Sequence, residues 1–396
     1  MAFPYYDAET EGVVYLVRPE QDDACDGDGS DVDTISSSTT TRTASTITSD
    51  QIGDYFREAH GRTFAYDQNL PLTYPIDDIE IHRHQMQHVF LKALVHGNYI
   101  GPVRDVLRLR ADGSRPRILD IRTCTGDWAQ EMATEFPHCD IVSVDVAPVT
   151  SHIPRSNISF EVYDLYSGIA EPNESFDYVS CRHIQLHVGL FHLKYQAIKI
   201  NLCEFLTQVK EYDRLIFDLH RVLKPGGLVT ICEVENNIFE VDQPPYDTIA
   251  YRTAPSMLRG LDAMRTAVTY QGIDIDAIYR LDEWLQPDST FWAETAEKYE
   301  IPEPQRWIAS RGFRDIQKEV VLIPIGAWHP DPAVQQVGAL VARTFSLSYR
   351  QLEPAIIETG VPQDQAKAIC DRVIEEMVRM DLPTLAKYHM VYGTKI

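Results

Sequence analysis

Residues 118–128 read ILDIRTCTGDW. A short apolar run ends in an acid, Asp120; a tight turn leads to Gly126; a helix then opens at Asp127. Trp128, Met132 and Phe136 share one face of that helix, and Pro137 stops it. The next segment, DIVSVD (140–145), reads as a second strand closed by a second acid, Asp145. Strand, turn, helix and strand in this order predict a parallel βαβ unit. The turn is a candidate ligand site for two reasons. A helix N-terminus offers free N–H groups and the positive end of a dipole to an anion. An acid ending the second strand can accept hydrogen bonds from both hydroxyls of a ribose.

The alternation continues outward from this unit. ISFEVYD (158–164) and FDYVSC (176–181) read as strands, and a long helix places Val209, Tyr212, Ile216, Leu219 and Leu223 at steps of three and four. KPGG (224–227) closes that helix and LVTICEVE (228–235) is the next strand. Region 243–312 reads mostly helical, and RDIQKEVVLIPIG (314–326) and KYHMVYGTKI (387–396) are further strands with helices between them. Strands alternating with helices imply an α/β fold, a doubly wound sheet with helices on both faces, whose final strand is antiparallel. Upstream, residues 20–49 are acidic and then rich in Ser and Thr. They cannot bury enough apolar surface to offset ordering, so residues 1–49 read as a disordered tail. Within it GVVYLVRP (12–19) fits a docking strand and a stray apolar patch equally well. Ser49–Asp50 predict a helix N-cap before QIGDYFREAHG, and Asp77 with Glu80 predicts a capping box opening a helix through Met86, Phe90 and Leu94 to Gly97. The expected organisation is a helical cap at 50–113 and a core at 114–396 with helical insertions at about 243–312 and 329–384.

Composition narrows the function. The chain has 396 residues, 44% hydrophobic and 24% charged, enough for a sizeable core, and a formal net charge of −23. A surface this acidic repels phosphate backbones and anionic membranes, so neither nucleic acid nor membrane is an expected partner. Seven scattered cysteines with no C-x-x-C predict no disulfide framework and fit a reducing compartment. No stretch is apolar enough for a membrane span and the N-terminus lacks the parts of a signal peptide, so the expected location is cytoplasmic or nuclear. His84 with His88, and His183 with His187, have helical metal-ligand spacing, but neither pair has an evident third ligand, and no metal is expected.

Taken together, ILDIRTCTGDW, VDVAP (144–148), FEVYD (160–164), FDYVSCRH (176–183) and LKPGG (223–227) resemble the ordered motifs of class I S-adenosylmethionine (SAM)-dependent methyltransferases. The flanks YFREAHGR, YPIDDIEIHRHQMQH, GNYIGPV, LIPIGAW and HMVYGTKI are similar to the fungal LaeA-like group, and the resemblance covers roughly residues 50–396. It implies a seven-stranded Rossmann-like methyltransferase sheet with added N- and C-terminal helices, S-adenosyl-L-methionine as cofactor, and a role in fungal secondary metabolism. It also implies that Asp120 faces the methionine amino group, that Asp145 and Val146 meet the ribose, and that Asp164 and Leu165 lie near the adenine. The loop residues Arg122, Thr123, Cys124, Thr125 and Gly126 would wrap the cofactor, and Arg182 and His183 would line the transfer cavity.

Two departures from the family pattern bear on activity. Its loop reads D-x-G-x-G-x-G; here Arg122 and Cys124 replace the first two glycines, and Gly126, the expected packing position, is kept. A β conformation at Arg122 would demand no positive φ, and its guanidinium could then form a charged fork on the cofactor carboxylate. Cys124 puts a sulfur where backbone should meet the cofactor. The second departure is GLFHLKYQAIKINLCEFLTQ (189–208), about twenty extra residues that read as a lid or an unspliced intron. Methyl transfer needs a base only if the acceptor must lose a proton. His183 and His187 are the candidates, with Glu233 third. The primary expectation is methyl transfer to a small-molecule hydroxyl, carboxyl or amine acceptor. The alternatives are a regulatory protein with impaired SAM binding, engaging a protein through its helices or tail, and a methyltransferase fold repurposed for other chemistry.

Overall fold

A computed structural model of the chain describes residues 52–66, 75–149, 155–162, 165, 168–184, 211–303 and 311–396, and the backbone of three strands before them. Those three, β1 (Pro4–Asp7), β2 (Gly12–Val17) and β3 (Ser45–Ile47), pair antiparallel within the segment read as a tail. The helix expected from Ser49 gives way to a 3-10 turn and a hairpin of β4 (Phe56–Ala59) and β5 (Arg62–Ala65). The two-residue loop explains the difference: His60 and Gly61 both have positive φ, the conformation whose twist joins two strands tightly.

Helix α1 (Asp78–Leu94) starts where Asp77 accepts from Glu80 N at 3.2 Å. Only half of the capping box forms, because Asp77 is also gripped by Arg62 and the Glu80 side chain turns to Arg83. Then α2 (Val103–Val106), β6 (Arg117–Ile121), α3 (Asp127–Glu135), β7 (Asp140–Asp145), β8 (Ile158–Val162) and β9 (Phe176–Arg182) follow in sequence. Helix α4 (Glu211–Val222) leads into β10 (Leu223–Val234), which takes in the expected KPGG turn by a bulge between Leu223 and Leu228. The two-residue β11 (Phe239–Glu240) precedes α5 (Pro255–Tyr270), α6 (Leu281–Trp284) and α7 (Phe291–Lys298). β12 (Phe313–Ile325), α8 (Pro332–Glu358), α9 (Gln363–Met377) and β13 (Thr384–Lys395) complete the chain.

The main sheet runs β8-β7-β6-β9-β10-β13-β12, and β11 adds two residues against β13. Strands β6 to β10 pair parallel, while β13 runs antiparallel to both β10 and β12. This is the doubly wound seven-stranded sheet expected from the motif order. Buried side chains on one face (Val179, Ile231) meet α4 and α7, and those on the other (Ile118, Tyr178) meet Trp128 and Met132 of α3. A third cluster joins α1, α5, α8 and α9 to the β10–β13 side through Phe90, Met257, Val341 and Tyr388. The chain leaves β6 in one direction and returns at β9 on its other side. The ends of β6 and β9 therefore flank a topological switch point, where a crevice opens for ligands.

Candidate functional site

The loop at that switch point is the one in ILDIRTCTGDW. All three positions that carry glycine in the motif demand a left-handed backbone: φ is +74° at Arg122, +50° at Cys124 and +75° at Gly126. The β conformation considered for Arg122 is thus corrected. The turn keeps its shape despite two side chains that make that shape costly, by about 1–2 kcal/mol each. Backbone hydrogen bonds hold it: Arg122 N and Thr123 N both donate to Val144 O, and Gly126 N donates to Thr123 O. Gly126 is the N-cap of α3, so its left-handed backbone is what the turn uses.

Asp145 closes the loop from the next strand. Its Oδ2 accepts from Cys124 N at 2.8 Å and its Oδ1 from Val146 N at 2.7 Å, so backbone amides orient the carboxylate at the loop. Burial pushes its pKa up, against the loop amide of Cys124 and the Arg122 charge. Burial likewise pushes the Cys124 thiol up to about 12, so it stands as a neutral thiol. Thr125 Oγ1 donates to Asp127, inside the loop, and Leu165 packs against the core on the β8 side. Asp164 and His187 lie outside the described residues, as does the 189–208 insertion.

A polar row crosses the parallel sheet one layer below the crevice. Ser143, Asp120, Ser180 and Thr230 are register partners on four adjacent strands, each 2% exposed or less. Asp120 Oδ2 accepts from Ser143 Oγ, which also lies 2.8 Å from Thr123 Oγ1. No cation lies in ion-pair range of Asp120 among the described residues. Burial raises its pKa to about 6, opposed by Arg182 and Ser143 and reinforced by Asp145. Two residues along β9 from Ser180, on the same face, Arg182 lays its guanidinium 4.8 Å from the Trp128 ring centroid. Its buried Nε has no hydrogen-bond partner among the described residues, and the same holds for Asn98 Oδ1 across a cavity beneath α1. A buried carboxylate and a half-buried guanidinium, not ion-paired with each other, are complementary to the ammonium and carboxylate of an amino acid.

Helix α1 presents an inverted face to this site. Glu80, Arg83 and Gln87 are buried, whereas Ile79 and Val89 are exposed. Arg83 takes Glu80 with two nitrogens and Gln87 Oε1 with a third. His84 Nε2 lies 2.8 Å from Glu80 and 2.8 Å from Arg122 Nη2. Burial, Arg83 and Arg122 push the His84 pKa down to about 3, so the ring is neutral beside the guanidinium. Arg122 Nη1 donates to His183 O at 2.7 Å. These contacts correct the expected fork on a cofactor carboxylate: the guanidinium ties the loop to α1 and to the end of β9. His183 is not helical, as its spacing with His187 suggested. It follows β9 with φ +54°, donates its N–H to Cys232 O, stacks on Tyr388, and places Nε2 3.3 Å from the Tyr388 hydroxyl. Burial, Arg182 and Arg122 hold its pKa well below the usual histidine value. Among the described residues no three His, Cys, Asp or Glu side chains are arranged to hold a metal, and no helix is long and apolar enough to cross a membrane.

Beside His183 a second cavity, about 780 Å³ counting the space open to solvent, runs between the strand ends and α1, α5 and α8. Its polar wall carries Arg83, Gln87, Arg122, His183, Glu233 and Glu235; its apolar wall carries Leu261, Met264, Phe345 and Leu352. Glu233 accepts from Ile184 N and the Tyr212 hydroxyl. Glu235 is held by His389 at 2.7 Å and the Tyr279 hydroxyl at 2.6 Å. The structure brings the expected loop, Asp120, Asp145, Arg182 and His183 to this end of the sheet; the Glu80–Arg83 pair, Asn98 and Glu235 are not among the residues expected there. The signal for α1 was readable: E-x-x-R-x-x-x-Q puts acid, base and amide on one helical stripe.

Residues 83–260 match the family model of a methyltransferase domain. A secondary metabolism regulator, laeA, of Coprinopsis cinerea is 23% identical over 81% of this chain and 69% of its own. Methyltransferase pytC of Aspergillus terreus is 23% identical over 85% of this chain and 87% of its own. Among solved structures, a methyltransferase from an antibiotic biosynthesis pathway of Anabaena variabilis matches at a TM-score of 0.38 and 13% identity, covering 78% of this chain and 99% of its own. A Haemonchus contortus phosphoethanolamine N-methyltransferase matches at 0.36 and 14%, covering 87% and 72%. From Arg83 in the cap to Gly260 in α5 the chain matches a methyltransferase domain, and over most of its length it is similar to the LaeA-like proteins.

Proposed function

We propose that the protein transfers the methyl group of SAM to a small-molecule acceptor held in the cavity between α1, α5 and α8. The observation that carries this is a buried carboxylate without an ion-pair partner, Asp120, beside the half-buried Arg182, whose buried Nε has no hydrogen-bond partner among the described residues. A fold keeps a buried unpaired charge at a cost of several kcal/mol unless a ligand completes it. In this reading Asp120 meets the cofactor ammonium and Arg182 its carboxylate, while Asp145 takes the ribose hydroxyls. Thr123, Cys124, Thr125, Gly126 and Val146 shape the backbone around the thioether, with Asp164 and Leu165 on the adenine side. The loop tolerates Arg122 because its side chain leaves the crevice for His84 and His183.

When bound, the cofactor supplies a methyl group already activated by a sulfonium. The chain's own residues position the acceptor for in-line attack and exclude water. His183 lines the acceptor side and orients it; its depressed basicity makes it a poor proton acceptor near neutral pH. A regulatory role, as in the names of several relatives, is compatible with the same site: a methyltransferase can act on a signal molecule. A concave site of this size with one apolar and one polar wall favours a small molecule over a protein segment. Calorimetric titration with S-adenosylhomocysteine (SAH) of wild type, Asp120→Asn and Arg182→Gln tests the reading. Micromolar binding by wild type, weakened at least tenfold in both variants, supports it; equal affinities for all three would remove the two charges from the site.

A further inference from the structure

Among the described residues, the acceptor cavity is lined by one cationic side chain without a counter-charge. Arg83 is neutralised by Glu80, and Glu235 is held by His389 and Tyr279. Glu233 is engaged by Ile184 N–H and the Tyr212 hydroxyl. Arg122 differs. Its guanidinium lines the cavity and uses two of its five donors on a carbonyl and a ring nitrogen. No carboxylate lies within ion-pair distance of it among the described residues. The same wall lacks a free base. His183 is boxed in by Tyr388, Arg182 and Arg122, and both glutamates are committed to partners. A hydroxyl or an ammonium must shed a proton before it can attack a methyl group; a carboxylate need not.

We propose that the acceptor is an amphipathic carboxylic acid, its carboxylate bound by Arg122 and its hydrocarbon body against Leu261, Met264, Phe345 and Leu352. The product is a methyl ester. A lone pair of the carboxylate oxygen forms the new O–CH3 bond, the S–CH3 bond breaks, and its electron pair stays on sulfur as a neutral thioether. No proton moves and no further reactant is required. Arg122 thereby acquires a reason to stand where a glycine would cost less: it places a cation on the wall of the acceptor cavity. The inference rests on the methyl-transfer reading above.

The test uses the full chain saturated with SAH, titrated calorimetrically at neutral pH with octanoate, octanol and octylamine. Octanoate is expected to bind at least tenfold more tightly than either of the others. Arg122→Gln should abolish the preference and Arg122→Lys should keep part of it, each compared at SAH saturation established by its own titration. Equal or tighter binding of octanol or octylamine, or no binding of octanoate to the SAH-loaded wild type, overturns the carboxylate proposal. Failure of wild type to bind SAH at all overturns the methyl-transfer reading instead.

Discussion

Restoring the two motif glycines one at a time should move stability in opposite directions. At Cys124 the backbone is left-handed with φ +50°, and the residue gives the loop only its N–H, donated to Asp145, which glycine supplies equally. Cys124→Gly relieves about 1–2 kcal/mol of conformational cost. It adds back roughly 0.5–1 kcal/mol of unfolded-chain entropy, so the variant should be more stable by about 0.5–1 kcal/mol. At Arg122 the relief is similar, with φ +74°, but the side chain bridges to His183 O and His84. Hydrogen bonds from a charged donor contribute about 1.5–3 kcal/mol each. Losing two of them outweighs the relief, and Arg122→Gly should be destabilised by about 2 kcal/mol. Thermal unfolding of the two variants beside wild type reads this as a rise of about 1–2 °C for Cys124→Gly and a fall of about 4 °C for Arg122→Gly. A melting temperature raised by Arg122→Gly would refute the reasoning, because it would mean that the guanidinium contacts contribute nothing to holding the loop.

Other consequences follow from the same geometry. Burial raises the Asp120 pKa to about 6, above the usual carboxylate range. A group whose folded pKa is raised favours the fold while protonated, so stability should fall as pH rises from about 4 through 6 and level off above. A bound ammonium favours the ionised form, so SAH affinity should weaken by up to tenfold per unit as pH drops below 6, with proton release on binding; a flat profile between pH 5 and 7 would exclude Asp120 as the cation's partner. Arg182→Gln should weaken SAH binding while leaving the melting temperature nearly unchanged, since it removes a half-buried cation that has no ion-pair partner among the described residues; a large fall in melting temperature would mean that Arg182 holds the fold. Gly338 of α8 faces Gly326, and a Cβ there would lie 1.9 Å from the Gly326 carbonyl oxygen. Gly338→Ala should therefore push α8 off β12, destabilise by about 1–3 kcal/mol and loosen the wall that carries Phe345; a wild-type melting temperature would contradict that packing.

How much of this was legible in the sequence depends on what each feature rests on. The sheet order was carried by the motif sequence because the strands of a parallel sheet are buried on both faces and read as apolar runs: RILDI, DIVSVD and FDYVSC sit where they were expected. The hairpin at Phe56–Ala65 was missed because YFREAH also fits a helical pattern and only the two-residue His60–Gly61 loop decides against it. The long-range ties could not be read. That Arg122 reaches His183 across 61 residues depends on β6 and β9 being neighbours, and the destination of a guanidinium is set by what lies free around it. The α1 face was half legible. Phe90 and Leu94 of the apolar spacing do pack on the core, whereas Glu80, Arg83 and Gln87 are buried beside them because they satisfy one another.

Calorimetric titration of the wild-type chain with SAH tests most directly whether a loop with arginine and cysteine in two glycine positions still receives the cofactor. Saturable binding in the micromolar range, with a proton uptake or release that changes sign or size near pH 6, is the expected result. No heat of binding at millimolar SAH would contradict the account.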